Sequence, residues 1–336
     1  MIRVLVAAGV ALVVSVAIGP RFIEFLRRNE FGQHIREDGP QHHVAKQGTP
    51  TMGGLLILFA ATVGFLPVSH YRLQALTVLF TALACGAIGF LDDFIKLTHK
   101  RSLGLSGRWK LILLAVVTAV VGVVAHHLQL TTSVYVPVID VWVPLSYAWY
   151  PFLFLVIGGA SNGTNLADGI DGLLAGTAIV ALFTFTAMNV VSYIRSGRVP
   201  ADRNVTKLDL AIVGAALIGA AVGFLWFNAF PAEMMMGDTG SMAFGGALAA
   251  FAIMMKVEVL LLLIGGIFVI EALSVMIQVF AFKRFGRRVF LIAPIHHHFE
   301  MKAWSETKIM VRFWIVAGLL CAAGFAFYYR YYFPQL

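Results

Sequence analysis

Residues 87–100 read AIGFLDDFIKLTHK, apolar enough for lipid at Ala87 and polar enough for water by Lys100, with Asp92 and Asp93 adjacent where one becomes the other. Like charges side by side repel, and removing either from water costs more still. A chain that keeps them at such a boundary must supply a counter-charge. Reading this stretch as the end of a membrane span decides how the rest is read.

The 336 residues are 60% hydrophobic and 12% charged, with mean hydropathy +0.85. That is too little polar surface to cover a soluble globule of this size. Apolar runs of roughly 17 to 22 residues, each about long enough to cross a hydrocarbon core, recur along the chain. There are ten, near residues 4–20, 52–68, 73–91, 108–128, 147–161, 172–192, 209–230, 241–255, 258–281 and 311–329. The fifth and eighth are short, and the ninth carries Glu258 and Glu271, for which partners at helix ends or basic side chains suffice. The fold class is therefore an all-α polytopic membrane protein of about ten transmembrane helices. No linker or repeat divides it, so residues 1–336 form a single domain.

Of the 25 Lys and Arg, 17 fall in segments 21–46, 96–110 and 283–312, leaving 8 for the other loops and the termini. The positive-inside rule makes the first set cytoplasmic, and an even span count turns both termini outward, to the periplasmic side. Arg21, Arg27 and Arg28 follow the first apolar run instead of preceding it, so that run reads as an uncleaved span and not a signal peptide. The net charge of +8 is mostly a topology signal, with a secondary attraction for membrane lipids and anionic substrates. The basic residues do not interleave with aromatics on a soluble module, which argues against nucleic acid as a partner. Cys85 and Cys321 lie inside apolar runs and read as packing residues. Residues 133–145, SVYVPVIDVWVPL, alternate β-formers and predict a small outward-facing hairpin.

The other face collects the unusual residues, in loops near 27–51, 92–110, 161–171, 229–240 and 282–308. A channel or alternating-access transporter is expected to place its ionisable groups near the membrane midplane instead. Asp92 and Asp93 diverge by about 100° on a helix, so one pocket cannot use them identically. The helix C-terminus is also the wrong pole for a carboxylate, and a divalent cation or Lys96, one turn on, would compensate. In SNGTNLADGIDGL, residues 161–173, Asp168 and Asp171 share a face as a helix begins, amid turn-forming Gly and Asn. In WFNAFPAEMMMGDTGSM, residues 226–242, Asp238 sits where a carboxylate can meet a metal while backbone N–H groups face a phosphate. APIHHHFEMK, residues 293–302, is no zinc signature, but consecutive imidazoles suit phosphate binding and proton handling. HHVAKQGTPTMGG, residues 42–54, offers Lys46 and Thr51 as anion ligands. Hard carboxylates with phosphate favour Mg²⁺ or Mn²⁺, and the combination is that of phosphoryl transfer to a lipid.

These motifs, with FLDDFIK, GLSGRWK, NGTNLADGIDGL, GDTGSMAFGG and PIHHHFEMKAWSETKIMVRFWI, resemble the polyprenyl-phosphate N-acetylhexosamine-1-phosphate transferase superfamily. GTPTMGG and PIHHHFE point to its MraY branch, the phospho-N-acetylmuramoyl-pentapeptide transferases. The resemblance implies a Mg²⁺-dependent reaction of UDP-N-acetylmuramoyl-pentapeptide with undecaprenyl phosphate, giving lipid I and UMP, in the first membrane step of peptidoglycan synthesis. It places the site at the cytoplasmic face of the bacterial inner membrane, with a homodimer as an option. Carried over by position, Asp92, Asp93, Asp238, His296 and His297 form the catalytic set, with Asp238 and Asp92 as metal ligands. Lys46, Thr51, Lys96, Lys110, Asn162, Asn165, Asp168, Asp171, Asn228, Met235 and Gln278 form the substrate-binding set. Met235 stands where the family commonly has an aromatic suited to stacking on uracil. Whether an Asp is a covalent nucleophile or deprotonates the lipid phosphate stays open, with direct attack and Asp93 as base the favoured form. The rivals are a sister transferase using UDP-N-acetylglucosamine and a transporter or flippase.

Overall fold

The computed structural model describes residues 1–29, 48–99 and 104–332. Its helices are α1 (Ile2–Arg28), α2 (Gly54–Phe65), α3 (Leu73–Thr98), α4 (Gly107–His127), α5 (Trp149–Leu166), α6 (Leu173–Arg195), α7 (Val205–Asn228), α8 (Gly237–Met255), α9 (Glu258–Ile264), α10 (Gly266–Phe285), α11 (Ile295–Glu300) and α12 (Glu306–Phe327). A π-helical turn, Tyr328–Tyr332, extends α12.

Each of the ten apolar runs is helical, as a backbone away from water must pair its own N–H and C=O groups. Eight helices among the described residues (α1, α3, α4, α6, α7, α8, α10 and α12) are long and apolar enough to cross a membrane. The second run is shorter than expected: α2 has 12 residues, about 18 Å at about 1.5 Å per residue. The fifth gives the 18-residue α5, about 27 Å long. The ninth is broken at Gly265 into α9 and α10.

The bundle is built around α8, whose residues from Thr239 to Met255 are all buried. Helices α2, α3, α5, α6 and α9 pack on it, while α1 packs on α7 and α2, and α6 on α7 and α12. Small residues make the inner seams possible. A Cβ on Gly89 of α3 would lie 2.0 Å from the Asp238 carbonyl oxygen, and one on Gly54 of α2 would lie 2.1 Å from the Gly240 nitrogen. A Cβ on Gly245 would lie 2.5 Å from the Ala160 carbonyl of α5. Three helices thus meet α8 backbone to backbone, the device that packs helices where lipid removes the hydrophobic driving force.

At the C-terminal end of α8, Lys256 Nζ lies 2.7 Å from Glu258 Oε1 and over the Trp149 ring, so Glu258 has a cationic partner. The expected hairpin packs against α9 there. Strand β1 (Ser133–Val136) pairs antiparallel with β2 (Val141–Pro144), Val136 opposite Val141, and the Tyr332 hydroxyl donates to the Tyr135 carbonyl at 3.1 Å. Buried Asp209 on α7 accepts from the His70 and Arg72 backbone N–H groups at 2.7 and 2.8 Å, fixing the approach to α3. Cys85 and Cys321 are buried free thiols.

The seam predicts a sharp contrast. Gly89→Ala must push α3 off the α8 backbone and should cost roughly 1–3 kcal/mol, lowering Tm in detergent. Gly9→Ala, exposed on α1 with nothing within 4 Å of the new Cβ, should leave Tm unchanged. Equal Tm for the two variants would contradict this packing.

Candidate active site

Helix α3 ends where α8 begins. Asp93, buried near the end of α3, accepts from the backbone N–H groups of Asp238 and Thr239 at 3.1 and 2.9 Å and from the Thr239 hydroxyl at 2.8 Å. The unfavourable pole of α3 is thereby answered by the favourable pole of α8, whose first N–H groups have no partner within their own helix. Asp92, turned about 100° away, faces elsewhere. Its Oδ1 accepts from the Leu105 N–H at 2.7 Å and stands 3.1 Å from Lys110 Nζ. Its Oδ2 lies 2.5 Å from Lys96 Nζ, off the direction of an aligned hydrogen bond. Asp238 completes the cluster, with Oδ2 at 2.9 Å from Lys110 Nζ and 3.1 Å from Lys96 Nζ. It is the least enclosed of the three, its side chain 17% exposed against 2% for Asp92.

One carboxylate oxygen from each of Asp92, Asp93 and Asp238 lies within 4.8 Å of the others. Three hard oxygen donors at that separation, close to the ~4–5 Å between opposite ligands of a divalent ion, fit a metal of the Mg²⁺ or Ca²⁺ type. The chemistry of the donor set therefore suits a divalent cation, and the two lysines add charge for an anionic substrate.

The loop of residues 167–172, between α5 and α6, closes one side. Burial, then the Asp238, Asp93 and Asp171 carboxylates, push Asp168 up to about 8, against an opposing hydrogen bond from the Gly237 N–H. Asp171 accepts from the Ala232 N–H at 3.0 Å. Asn228 accepts from the Gly172 N–H at 3.0 Å and donates to the Met234 carbonyl at 2.9 Å, while Trp314 Nε1 donates to the Gly172 carbonyl at 3.3 Å. Asp171 and Asn228, expected as substrate ligands, are both buried and hold the 228–236 loop against this one.

A strap of residues 50–54 closes another side. Met235 N–H donates to the Pro50 carbonyl at 2.7 Å, and the Gly53 and Gly54 N–H groups donate to the Met235 and Met236 carbonyls at 2.9 and 3.0 Å. Gly237, at φ +73°, leaves 2.9 Å between the position of a Cβ and the Thr51 hydroxyl, so Thr51 stands over the start of α8. Asn165 donates to the Ser241 hydroxyl at 3.0 Å. Asn162 is exposed and bonds back to its own helix at the Gly158 carbonyl, 2.7 Å away. Gln278 gives its amide to the Phe290 carbonyl and its carbonyl to the Val289 and Phe290 N–H groups, each at 2.9 Å. His296 is fully buried beside Glu271, and His297 pairs with Glu300. Lys46 lies outside the described residues.

Sequence reasoning passed over Thr239, Leu105 and Trp314. Thr239 follows Asp238 in the quoted GDTGS, and a Thr in a first helical turn is a capping signal, but nothing local announces that its hydroxyl serves Asp93 on another helix.

The profile of Glycosyl transferase family 4 matches residues 75–256. A phospho-N-acetylmuramoyl-pentapeptide-transferase signature matches residues 46–58. The chain is 45% identical over 313 residues to the phospho-N-acetylmuramoyl-pentapeptide-transferase of Bacillus pumilus, covering 92% of each chain. It is 44% identical over 343 residues to that of Rubrobacter xylanophilus, covering all of both, and 45% identical over 347 residues to that of Frankia alni, covering 97% of both. The chain belongs to the phospho-N-acetylmuramoyl-pentapeptide-transferase family.

Asp168 supplies a pH test in the presence of a chelator. Its carboxyl titrates near 8 when folded and near ~3.9 when unfolded. Between those values the folded chain holds a proton that the unfolded chain has lost, so the stability Asp168 contributes falls as pH rises. Asp168→Asn removes this slope. Its Tm in EDTA should match the parent near pH 4.5 and exceed it increasingly up to about pH 8, levelling off beyond. A Tm difference constant across that range would contradict the raised titration.

Proposed function

We propose that this chain transfers phospho-N-acetylmuramoyl-pentapeptide from its UDP derivative to undecaprenyl phosphate, giving lipid I and UMP, at the cytoplasmic face of the bacterial inner membrane. The observation that carries the reading is the Asp92, Asp93 and Asp238 cluster bridged by Lys96 and Lys110 at one end of a membrane bundle. The relatives named for this activity support it. Residues 1–336 act as one catalytic domain.

An oxygen of the lipid phosphate bonds to the sugar-bearing phosphorus, the bond from that phosphorus to the bridging oxygen breaks, and UMP leaves with the electron pair. Alkyl phosphates lose their second proton near pH ~6, so the acceptor is mostly dianionic at pH 7 and needs little help from a base. Asp93, whose oxygens accept three hydrogen bonds, holds the first turn of α8 and stands as the base for an acceptor that arrives protonated. Direct attack is the form this site suits. Mg²⁺, with Mn²⁺ as a substitute, held by Asp238 with Asp92 alongside, supplies neutralisation of the diphosphate charge when bound. Lys96 and Lys110 each touch two carboxylates and are placed to exchange one for a phosphate oxygen. To the nucleotide-sugar side we assign Thr51, Asn165 and Asp168, with Met235 for the base and Asn162, Gln278, His296 and His297 for the surround; Lys46 is assigned there by motif alone. For the prenyl chain, a largely apolar groove of about 580 Å³ runs between α4 and α5 from Ala115 past Gly122 to His126, beginning five residues from Lys110.

Purified protein with undecaprenyl phosphate, UDP-N-acetylmuramoyl-pentapeptide and Mg²⁺ should release UMP, and EDTA should abolish release. Asp238→Asn and Lys110→Ala should each lower kcat by at least about 100-fold with Tm retained. UMP release from UDP-N-acetylglucosamine alone would instead identify the sister branch. With undecaprenyl phosphate withheld, mass spectrometry should find no phosphorylated aspartate, and an adduct on Asp92 or Asp93 would replace direct attack with a covalent route.

A further inference from the structure

Glu271 and His296 form a buried pair beside the active-site loop. Glu271 lies on α10 just beyond the break at Gly265, and His296 is on α11; both are fully buried. His296 Nδ1 is 3.1 Å from Glu271 Oε1. Among the described residues, no aligned hydrogen bond reaches either oxygen of Glu271 or either nitrogen of His296. A carboxylate stripped of water is costly unless a partner answers it, and His296 Nδ1 is the partner this packing supplies. That holds the Nδ1 side of the ring against Glu271.

The other side of the ring meets the active-site loop. A Cβ on Gly169 would lie 2.2 Å from His296 Nε2, so the imidazole edge rests on the Gly169 backbone with no room for a side chain. Gly169 follows Asp168, whose carboxyl faces Gly237, Asp238 and Asp93. The far end of the loop is already tied at Asp171 and Gly172. The imidazole edge is the support at the Asp168 end.

We propose that Glu271 is a positioning residue. Its carboxylate fixes His296 in one ring orientation, Nδ1 turned to Glu271 so that a small rotation completes a hydrogen bond and Nε2 against Gly169, and that wedge sets where Asp168 stands relative to Asp238. The inference rests on the transferase reading and deepens its site. Geometry and not charge is what Glu271 supplies, and this separates it from a proton carrier. Gln keeps an acceptor at the same place, whereas Leu keeps the volume without one.

The test combines UMP-release kinetics with nitrogen NMR of ¹⁵N-histidine-labelled protein in detergent, the His296 signals being assigned by their loss in His296→Asn. Glu271→Gln should keep the Nδ1-protonated pattern, Tm and most of the activity. Glu271→Leu should lose that pattern and lower kcat by about 10- to 100-fold with KM for both substrates little changed, the scale of a misplaced group. Gly169→Ala should perturb the His296 signals and lower kcat in the same way. Full activity in Glu271→Leu, or unperturbed His296 signals in Gly169→Ala, would overturn the proposal. Equal loss in Glu271→Gln and Glu271→Leu with Tm intact would overturn it in favour of a charge or proton role. If Glu271→Leu fails to fold, Gly169→Ala decides alone. The NMR needs no substrate, so a parent protein that releases no UMP would sink the transferase reading while the wedge is still tested.

Discussion

Asp93 accepting from the first turn of α8 is the interaction on which the rest depends. It brings the C-terminus of one buried helix against the N-terminus of another, satisfying backbone N–H groups that α8 cannot pair itself and neutralising a carboxylate at an unfavourable pole. The contact is possible because Gly89 lets α3 approach the Asp238 carbonyl closely. Asp238 is placed by the same contact, since its own backbone is one of the donors. The site is therefore a by-product of how two helices are joined, and its precision is that of a packed interior.

Around that joint, charge is balanced locally. Lys96 and Lys110 each touch both Asp92 and Asp238, so no carboxylate of the pair depends on a single cation. Asp168 is a further carboxyl beside them, and burial first, then the neighbouring carboxylates, hold its proton up to about 8. An excess of buried carboxylate over ammonium favours an incoming divalent cation, because binding it relieves repulsion already present in the fold. The two lysines would then be released toward phosphate, where charge-assisted bonds are strongest.

The surrounding loops hold the joint rigid by spending their polar groups on each other. Asp171, Asn228 and Trp314 tie the 167–172 loop, Gln278 ties residues 289–290, and the 50–54 strap lies on residues 235–236. Polar residues at such a boundary cannot be left unpaired at small cost. Mutating them would displace the ligand-bearing residues even where no ligand is touched, so loss of activity alone cannot separate contact from support.

Much of this was legible in the residues themselves. Helical runs, the hairpin at 133–145 and the Asp-rich loops follow from composition and from periods of 3.6 and 2, which are local properties. The lengths of α2 and α5 were not: α2 ends before its apolar run does, whereas α5 continues past its run through polar residues to Leu166. The motifs marked Asp92, Asp93, Asp168 and Asp238 as belonging together, since carboxylates so close to an apolar span have no inexpensive alternative to a shared cation.

What the residues could not disclose was the partner of each. Asp93 meets Thr239 across 146 positions of chain, and Asp92 meets Leu105 because Asp92 turns the other way on the same helix. Glu271 finds His296, and Gly169 lies beneath it, through the packing of α10, α11 and the loop after α5. Residue identities decide which groups leave water and must therefore be paired. Tertiary packing chose the pairs, because hydrogen bonds and ion pairs act over a few ångströms, and which atoms come that close depends on where glycine and alanine allow two backbones to meet.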